Sequence, residues 1–294
     1  MSILKPSRSE FVDLPDLKIH VRRWGHPGAP RLFLLHGWMD CSATFQFMVD
    51  ALEDEWDIVA PDWRGFGQSG WQNSTYWMPQ YAVDLEFLLN HYSPDQPATV
   101  IGHSLGGNVT SMVAALRPER IARFVNLDAF GTGLYTAEDL PDRLAAWMTE
   151  KAHGLKLHPG YDSIDAFTQR LQANNPRLTQ AQAAFLAENF SRRNDHGRLV
   201  PAADPWHRLH SPPTLSGDDY KRLWRRISAK VLMVVAKESF LLKRFDPYQD
   251  EYRARLACFS DLRLVTLPDA AHNLQHDQPR QLARVIEDFL RESA

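Results

Sequence analysis

The sequence predicts an α/β protein, a mostly parallel sheet flanked by helices, with a helical cap inserted late in the sheet. Three observations carry this. Short, non-alternating apolar runs ("RLFLL", "DIVAP", "ATVI", "FVNL") recur before position 131, and amphipathic stretches separate them. Runs of this kind belong to parallel strands covered on both faces. From 132 to 228 the runs stop and only helical patterns remain. They return with "KVLMVVA" and "LRLVTL", which places the insertion between the fourth and fifth parallel strands.

In chain order, "KIHV" at 18–21 alternates as a strand does, and 31–37 is the first continuous apolar run, ending at glycine. A helical stretch at 42–52 leads to the second run, within "WDIVAPDWRGFG". The helical patterns "YAVDLEFLLNHY" and "GGNVTSMVAALRP" flank the third, and 123–131 carries the fourth. The insertion reads as four helices: "AEDLPDRLAAWMTEKA", "SIDAFTQRLQA", "TQAQAAFLAENF" and "GDDYKRLWRRIS". After the strand at 230–236 come the helix "DPYQDEYRARLACF", the strand "LRLVTLP" and a closing helix over 279–292. The expected division is 1–131 for the first part of the core, 132–228 for the cap and 229–294 for the second part of the core. Such a cap sits over the carboxyl ends of the strands.

With 294 residues, 44% of them hydrophobic, the chain can bury a substantial core. A net charge of −3 creates no basic field for nucleic acid or anionic lipid, so a small-molecule partner is expected. The two cysteines, Cys41 and Cys258, have neither ligand spacing nor a disulfide framework. "MSILKPSRSEFVDL" lacks the apolar centre of a signal peptide, and no run approaches the ~18 residues of a membrane span. A cytoplasmic monomer or homodimer is expected.

In open α/β sheets, ligands bind beyond the carboxyl ends of the strands. The residues that follow the runs are chemically rich: His36-Gly37-Trp38, then Gly102-His103-Ser104-Leu105-Gly106, then Asp128, and finally "DAAHN" with His272. A strand that turns at once into a helix forces its junction residue to positive φ, which small neighbours permit, hence Gly102 and Gly106. Ser104 is thereby held at a sharp point beside the unpaired N–H groups of a helix start. No Gly-Lys-Ser/Thr follows, so a phosphate cradle is excluded.

The chain resembles the α/β-hydrolase superfamily, from the "HGW" turn through "PDWRGFGQS" and "GHSLGG" to "AHNLQHDQP". Within it, "HGWMDCSATFQFMVDAL" and "DPWHRLHSPP" are similar to the serine-hydrolase-like, kraken-type branch. The resemblance implies an eight-stranded sheet, Ser104 as nucleophile, His272 as general base and the backbone N–H groups of Trp38 and Leu105 as oxyanion hole. His36 is expected to order the oxyanion turn and, with Trp38, to belong to the substrate-binding set. His103 packs beside the elbow without chemistry, and Arg64 anchors the loop after its strand. The superfamily commonly follows its penultimate core strand with Gly-x-x-Asp, but here those positions read Ala236-Lys237-Glu238-Ser239. The aspartate is missing. Asp128 is the preferred acid, because some members draw it from the preceding strand end, and Glu238 and Asp246 remain open.

These residues imply a carboxylesterase-type serine hydrolase acting on a small to medium acyl substrate, without cofactor. A cofactor-independent dioxygenase acting on N-heteroaromatics and a non-catalytic ligand-binding homologue are the alternatives. His153 with His158, and His207 with His210, have part of a metal spacing but no completing carboxylate or cysteine, so no metal is expected. Trp147, Trp206 and Trp224 are expected in the core, with one or two lining an acyl pocket.

Overall fold

The computed structural model describes residues 4–131, 133–155, 157–209 and 215–292. Its main sheet is built from β1 (Ser7–Asp13), β2 (Lys18–Gly25), β3 (Arg31–Leu35), β4 (Asp57–Pro61), β5 (Ala98–His103) and β6 (Ile121–Leu127). With β9 (Lys230–Ala236) and β10 (Leu262–Leu267) it has eight strands in the order β1-β2-β4-β3-β5-β6-β9-β10. β2 runs antiparallel to β1 and β4, and every other pairing is parallel.

Successive residues of the central strands feed opposite faces, as the pleat requires. Phe33 and Leu35 of β3 join one core with Val231, Met233 and Val235 of β9. Leu32 and Leu34 join the other with Leu232, Val234 and Ala236. The first face is covered by α2 (Met78–Tyr92) and α3 (Leu105–Leu116). The second is covered by α1 (Gln46–Ala51) and α11 (Pro279–Glu292), whose Leu282, Ala283, Ile286, Phe289 and Leu290 form one buried helical stripe.

The segment between β6 and β9 carries α4 (Leu140–His153), α5 (Ile164–Asn174), α6 (Gln180–Asn189) and α7 (Gly217–Trp224). α5 and α6 pack on each other and seat Leu178, Ala183 and Leu186 on Phe47 of α1. α7 joins the first core through Tyr220 and Trp224 and lies along α3. After β9 come α8 (Phe240–Lys243) and α9 (Gln249–Leu256), and α10 (Leu274–Asp277) precedes α11.

Two departures from the sequence reading have physical causes. β1 has one buried residue, Val12, so as an edge strand it shows no apolar run. The insertion is also not purely helical: β7 (Ser191–Arg193) and β8 (Leu199–Pro201) form a hairpin. Strands of three residues are too short to display alternation, and the hairpin is held by its turn, where Asn194 Oδ1 accepts from His196 N (3.1 Å) and Arg198 N (3.0 Å). Among the described residues no helix is long and apolar enough to cross a membrane.

Candidate active site

β5 passes into α3 at Ser104, whose backbone sits at φ 50°, ψ −110°. This is a strained conformation for a serine, and the neighbours permit it only by being glycine. A Cβ on Gly106 would stand 2.1 Å from the Leu35 carbonyl oxygen, and one on Gly102 would stand 2.6 Å from Gly106 backbone. Hydrogen bonds from Ser104 N to Leu127 O (3.0 Å) and from Gly106 N to His36 O (3.1 Å) tie the turn to both flanking strand ends.

Ser104 Oγ lies 3.0 Å from His272 Nε2, and His272 Nδ1 lies 2.7 Å from Asp128 Oδ2. Of the three carboxylates the sequence leaves open, the structure therefore brings Asp128 to the imidazole. Glu238 is half exposed and ion-paired with Arg177 (2.7 Å), and Asp246 is exposed. Asp128 is fully buried at φ +54° in the turn after β6. Asn126 braces that turn, donating to and accepting from the backbone of Ala129. The position where an aspartate was missing, Ser239, is also buried, and its hydroxyl donates to Asp128 Oδ2 (2.5 Å). The Ala236 N–H reaches Oδ1 (3.2 Å). Sequence reasoning missed Ser239 as a participant, although its place in the Gly-x-x-Asp frame was the available signal.

The backbone N–H groups of Trp38 and Leu105 donate to no acceptor among the described residues. Trp38 and Ser104 line a cavity of about 200 Å³ with His272, Asp40, Asn174 and His276. Leu171, Leu178, Leu186 and Phe190, from α5, α6 and their flanks, close it from the inserted segment. The Trp38 indole is 56% exposed, which leaves it free to act as a wall.

The expectation that His36 belongs to the substrate-binding set is corrected. His36 is completely buried beneath the turn and lines no part of the cavity. Its Nδ1–H donates to the Gly37 carbonyl (2.7 Å) and its Nε2 accepts from the Trp63 N–H (2.9 Å). The Trp63 indole N–H donates back to the His36 carbonyl (3.0 Å). Burial pushes this imidazole down to about 4, so it is a neutral clamp on the turn that carries Trp38.

His103 is similarly buried, and desolvation followed by the neighbouring His272 lowers its pKa well below the usual value. It donates from Nε2 to the His272 carbonyl (2.8 Å) and so fixes the loop that carries His272. His276 lines the cavity and meets Thr44 Oγ1 (2.8 Å), and burial lowers it to about 4. Asp40 also lines the cavity. Desolvation pushes its carboxyl up to about 7 despite the Cys41 N–H it accepts (2.8 Å). Phe240 stands edge-on to His272, with ring centroids 5.0 Å apart. Arg64 grips Asp84 of α2 through two hydrogen bonds (2.7 and 2.5 Å), fixing the loop after β4.

Trp147, Trp206 and Trp224 do not line the cavity at Ser104; Trp224 is core, and Trp206 carries Lys151 over its ring (3.7 Å). His153 bonds its own helix at Thr149 O (2.6 Å), and His158 Nδ1 accepts from Gly160 N (2.9 Å). His210 lies outside the described residues.

An eight-stranded sheet, parallel except for β2, which runs antiparallel to both of its neighbours, together with a serine at a strand-to-helix elbow, defines a class. The model of the alpha/beta hydrolase fold matches residues 30–279, and the chain belongs to that family. Its similarity extends to a serine hydrolase-like protein of Danio rerio, 28% identical, over 98% of this chain and 90% of the relative. An esterase of Mycobacterium tuberculosis is 25% identical over 92% of this chain and 86% of its own length. Among solved structures, a hypothetical protein of Pseudomonas aeruginosa PAO1 superposes with a TM-score of 0.84 at 23% identity, covering 96% of this chain and 99% of that one.

Proposed function

We propose that this protein is a carboxylesterase-type serine hydrolase in which Ser104, His272 and Asp128 are nucleophile, general base and acid. The observation that carries the reading is the pair of hydrogen bonds on His272, one to Ser104 Oγ and one to Asp128. A serine hydroxyl is a weak nucleophile until a base takes its proton, and an imidazole is held in the required tautomer by a carboxylate on its other nitrogen. As Ser104 Oγ attacks the acyl carbon, its proton passes to His272 Nε2 and the imidazolium is stabilised by Asp128. The Trp38 and Leu105 N–H groups receive the developing oxyanion, the second lying at the positive end of α3. Collapse expels the alcohol, which takes the proton from His272. Water then repeats the sequence on the acyl-enzyme. The cavity volume and its closure by α5 and α6 support a small to medium acyl group. The likeness to a mycobacterial esterase points the same way.

The test is labelling by a fluorophosphonate together with hydrolysis of p-nitrophenyl esters from acetate to decanoate. Ser104→Ala is expected to lose label and turnover. Asp128→Asn should lower kcat by roughly 10³–10⁴-fold, and surface Glu238→Gln should change it by less than about twofold. Wild-type protein that takes no label and shows no acyl burst would overturn the reading in favour of a binding protein. Oxygen uptake with an N-heteroaromatic compound would overturn it in favour of a dioxygenase.

A further inference from the structure

Beside the catalytic cavity lies a second one of about 390 Å³, and the two share Met39, Leu171, Asn174 and Phe190 as a common wall. Three cationic or hydrogen-donating side chains converge on the second: Arg170, Arg208 and His158. On α5, Arg170 falls on the helical face of Phe167, Leu171 and Asn174, at spacings of three and four residues, so it stands on the face turned to the cavities. Neither Arg170 nor Arg208 has a hydrogen-bond or ion-pair partner among the described residues, and no carboxylate there lines this cavity. The nearby Asp162 is already taken by Arg198. Because His158 Nδ1 accepts from Gly160 N–H, its neutral ring carries the proton on Nε2 and presents a donor. Both guanidinium groups act on this ring: burial, then Arg208 and Arg170, lower its pKa. Among the described residues the concavity thus holds two guanidinium groups and no facing carboxylate, in a chain of net charge −3.

We propose that this second cavity is an oxyanion subsite, and that the acyl group attacked by Ser104 carries a carboxylate or phosphate at its far end, bound by Arg170 and Arg208. The proposal rests on the reading of Ser104 as nucleophile for its catalytic half. The guanidinium fork recognises planar oxyanions through paired hydrogen bonds, and a half-apolar wall of Met39, Leu171 and Phe190 suits the methylene chain between the two ends.

The experiment has two arms. Calorimetric titration of the full chain with adipate, inorganic phosphate and adipamide measures the subsite alone. One of the two anions is expected to bind and adipamide to fail, and Arg170→Gln/Arg208→Gln should weaken anion binding about tenfold or more. Which anion binds separates a carboxylate from a phosphate ligand. In the second arm, kcat/KM for p-nitrophenyl hemiadipate is expected to exceed that for p-nitrophenyl hexanoate about tenfold, and the double variant should bring the ratio to about one. Both arginines are exposed, so the variants are expected to melt as wild type does, which circular dichroism checks. Absence of arginine-dependent binding overturns the subsite. Arginine-dependent binding without the ester preference overturns its assignment to the acyl group. Hexanoate turnover and fluorophosphonate labelling with both anion arms flat remove the subsite and leave the hydrolase. Anion binding with an unlabelled Ser104 removes the hydrolase and leaves the subsite.

Discussion

Asp40 shows how a single side chain can oppose the fold that contains it. Its carboxyl has a folded-state pKa of about 7 because it is desolvated, against an ordinary value of 3.8. Between those two values the unfolded chain is ionised while the folded chain is protonated, so the penalty on folding grows with pH and is complete above about 7. Asp40→Asn removes the charge and keeps an oxygen to accept the Cys41 N–H. The variant is expected to gain melting temperature, and to gain more at pH 8 than at pH 5. Equal gains at both would show that the carboxyl is not perturbed. A destabilised, cavity-lining acid of this kind fits the general conflict between stability and a prepared site. Among single residues, Ser104 and His272 were legible in the sequence because each is marked by its immediate neighbours: a strand, flanking glycines, a loop after the last strand. Asp128 was legible as the preferred one of three carboxylates but not singled out, since Glu238 and Asp246 lie in the segment after β9 and nothing local says which of the three reaches His272.

Between elements, the decisive relation is that of β6 to β9. They are parallel neighbours, and Asp128 after one meets Ser239 after the other. The same carboxylate oxygen accepts from Ser239 Oγ and from His272 Nδ1. A carboxylate carried at 239 would therefore reach the space that Asp128 leaves if truncated. Asp128→Ala is expected to reduce kcat about a thousandfold or more, and adding Ser239→Asp should restore about tenfold. Ser239→Asp alone should impair the protein, because two buried carboxylates in contact cannot both ionise. A rescue no better than Asp128→Ala itself would mean that the β9 end cannot orient His272. The hydroxyl at 239 thus stands at the end of β9 in contact with the carboxylate that follows β6. Loops are tied similarly: Asp62 after β4 accepts from His20 Nδ1 (2.7 Å), Ser42 N (2.7 Å) and Gln68 N (2.9 Å). Burial raises its pKa, but His20 and the other donors outweigh this and hold it at about 2.

Taken as one folding unit, the protein stores several imidazoles in neutral form. His36 and His276 are lowered by burial to about 4, and His207, stacked between Phe66 (3.8 Å) and Tyr76 (3.7 Å), to about 3. An unfolded histidine titrates near 6.5. Above that pH both states are neutral and nothing is lost. As pH falls from about 6.5 towards 4, the unfolded chain binds protons that the folded chain refuses, so stability declines by about 3 kcal/mol for each of His36 and His276. Asp40 acts in the opposite sense over this range but is one proton against four, since His103 is buried and lowered as well. The melting temperature is expected to fall steeply between pH 6.5 and 4.5, and a flat profile would contradict the buried-neutral assignment.

What was readable from the chain is what is local in it: the alternation of strand and helix, the run of helices between β6 and β9, the elbow at Ser104 and the placing of His272 after the last strand. Each rests on periodicity or on a few adjacent residues, because backbone sterics and one-sided burial act over short spans. The edge strand β1 and the β7–β8 hairpin were not readable, since mostly exposed or very short strands need no apolar pattern. Contacts between distant positions were decided in three dimensions. They choose Asp128 over Glu238 and Asp246 as the partner of His272, bury His36 beneath the turn and set Arg170 and Arg208 around one cavity. The physical reason is that a hydrogen bond or a shared cavity depends on which strand ends lie side by side, and sheet order is a property of packing that no short stretch of sequence encodes.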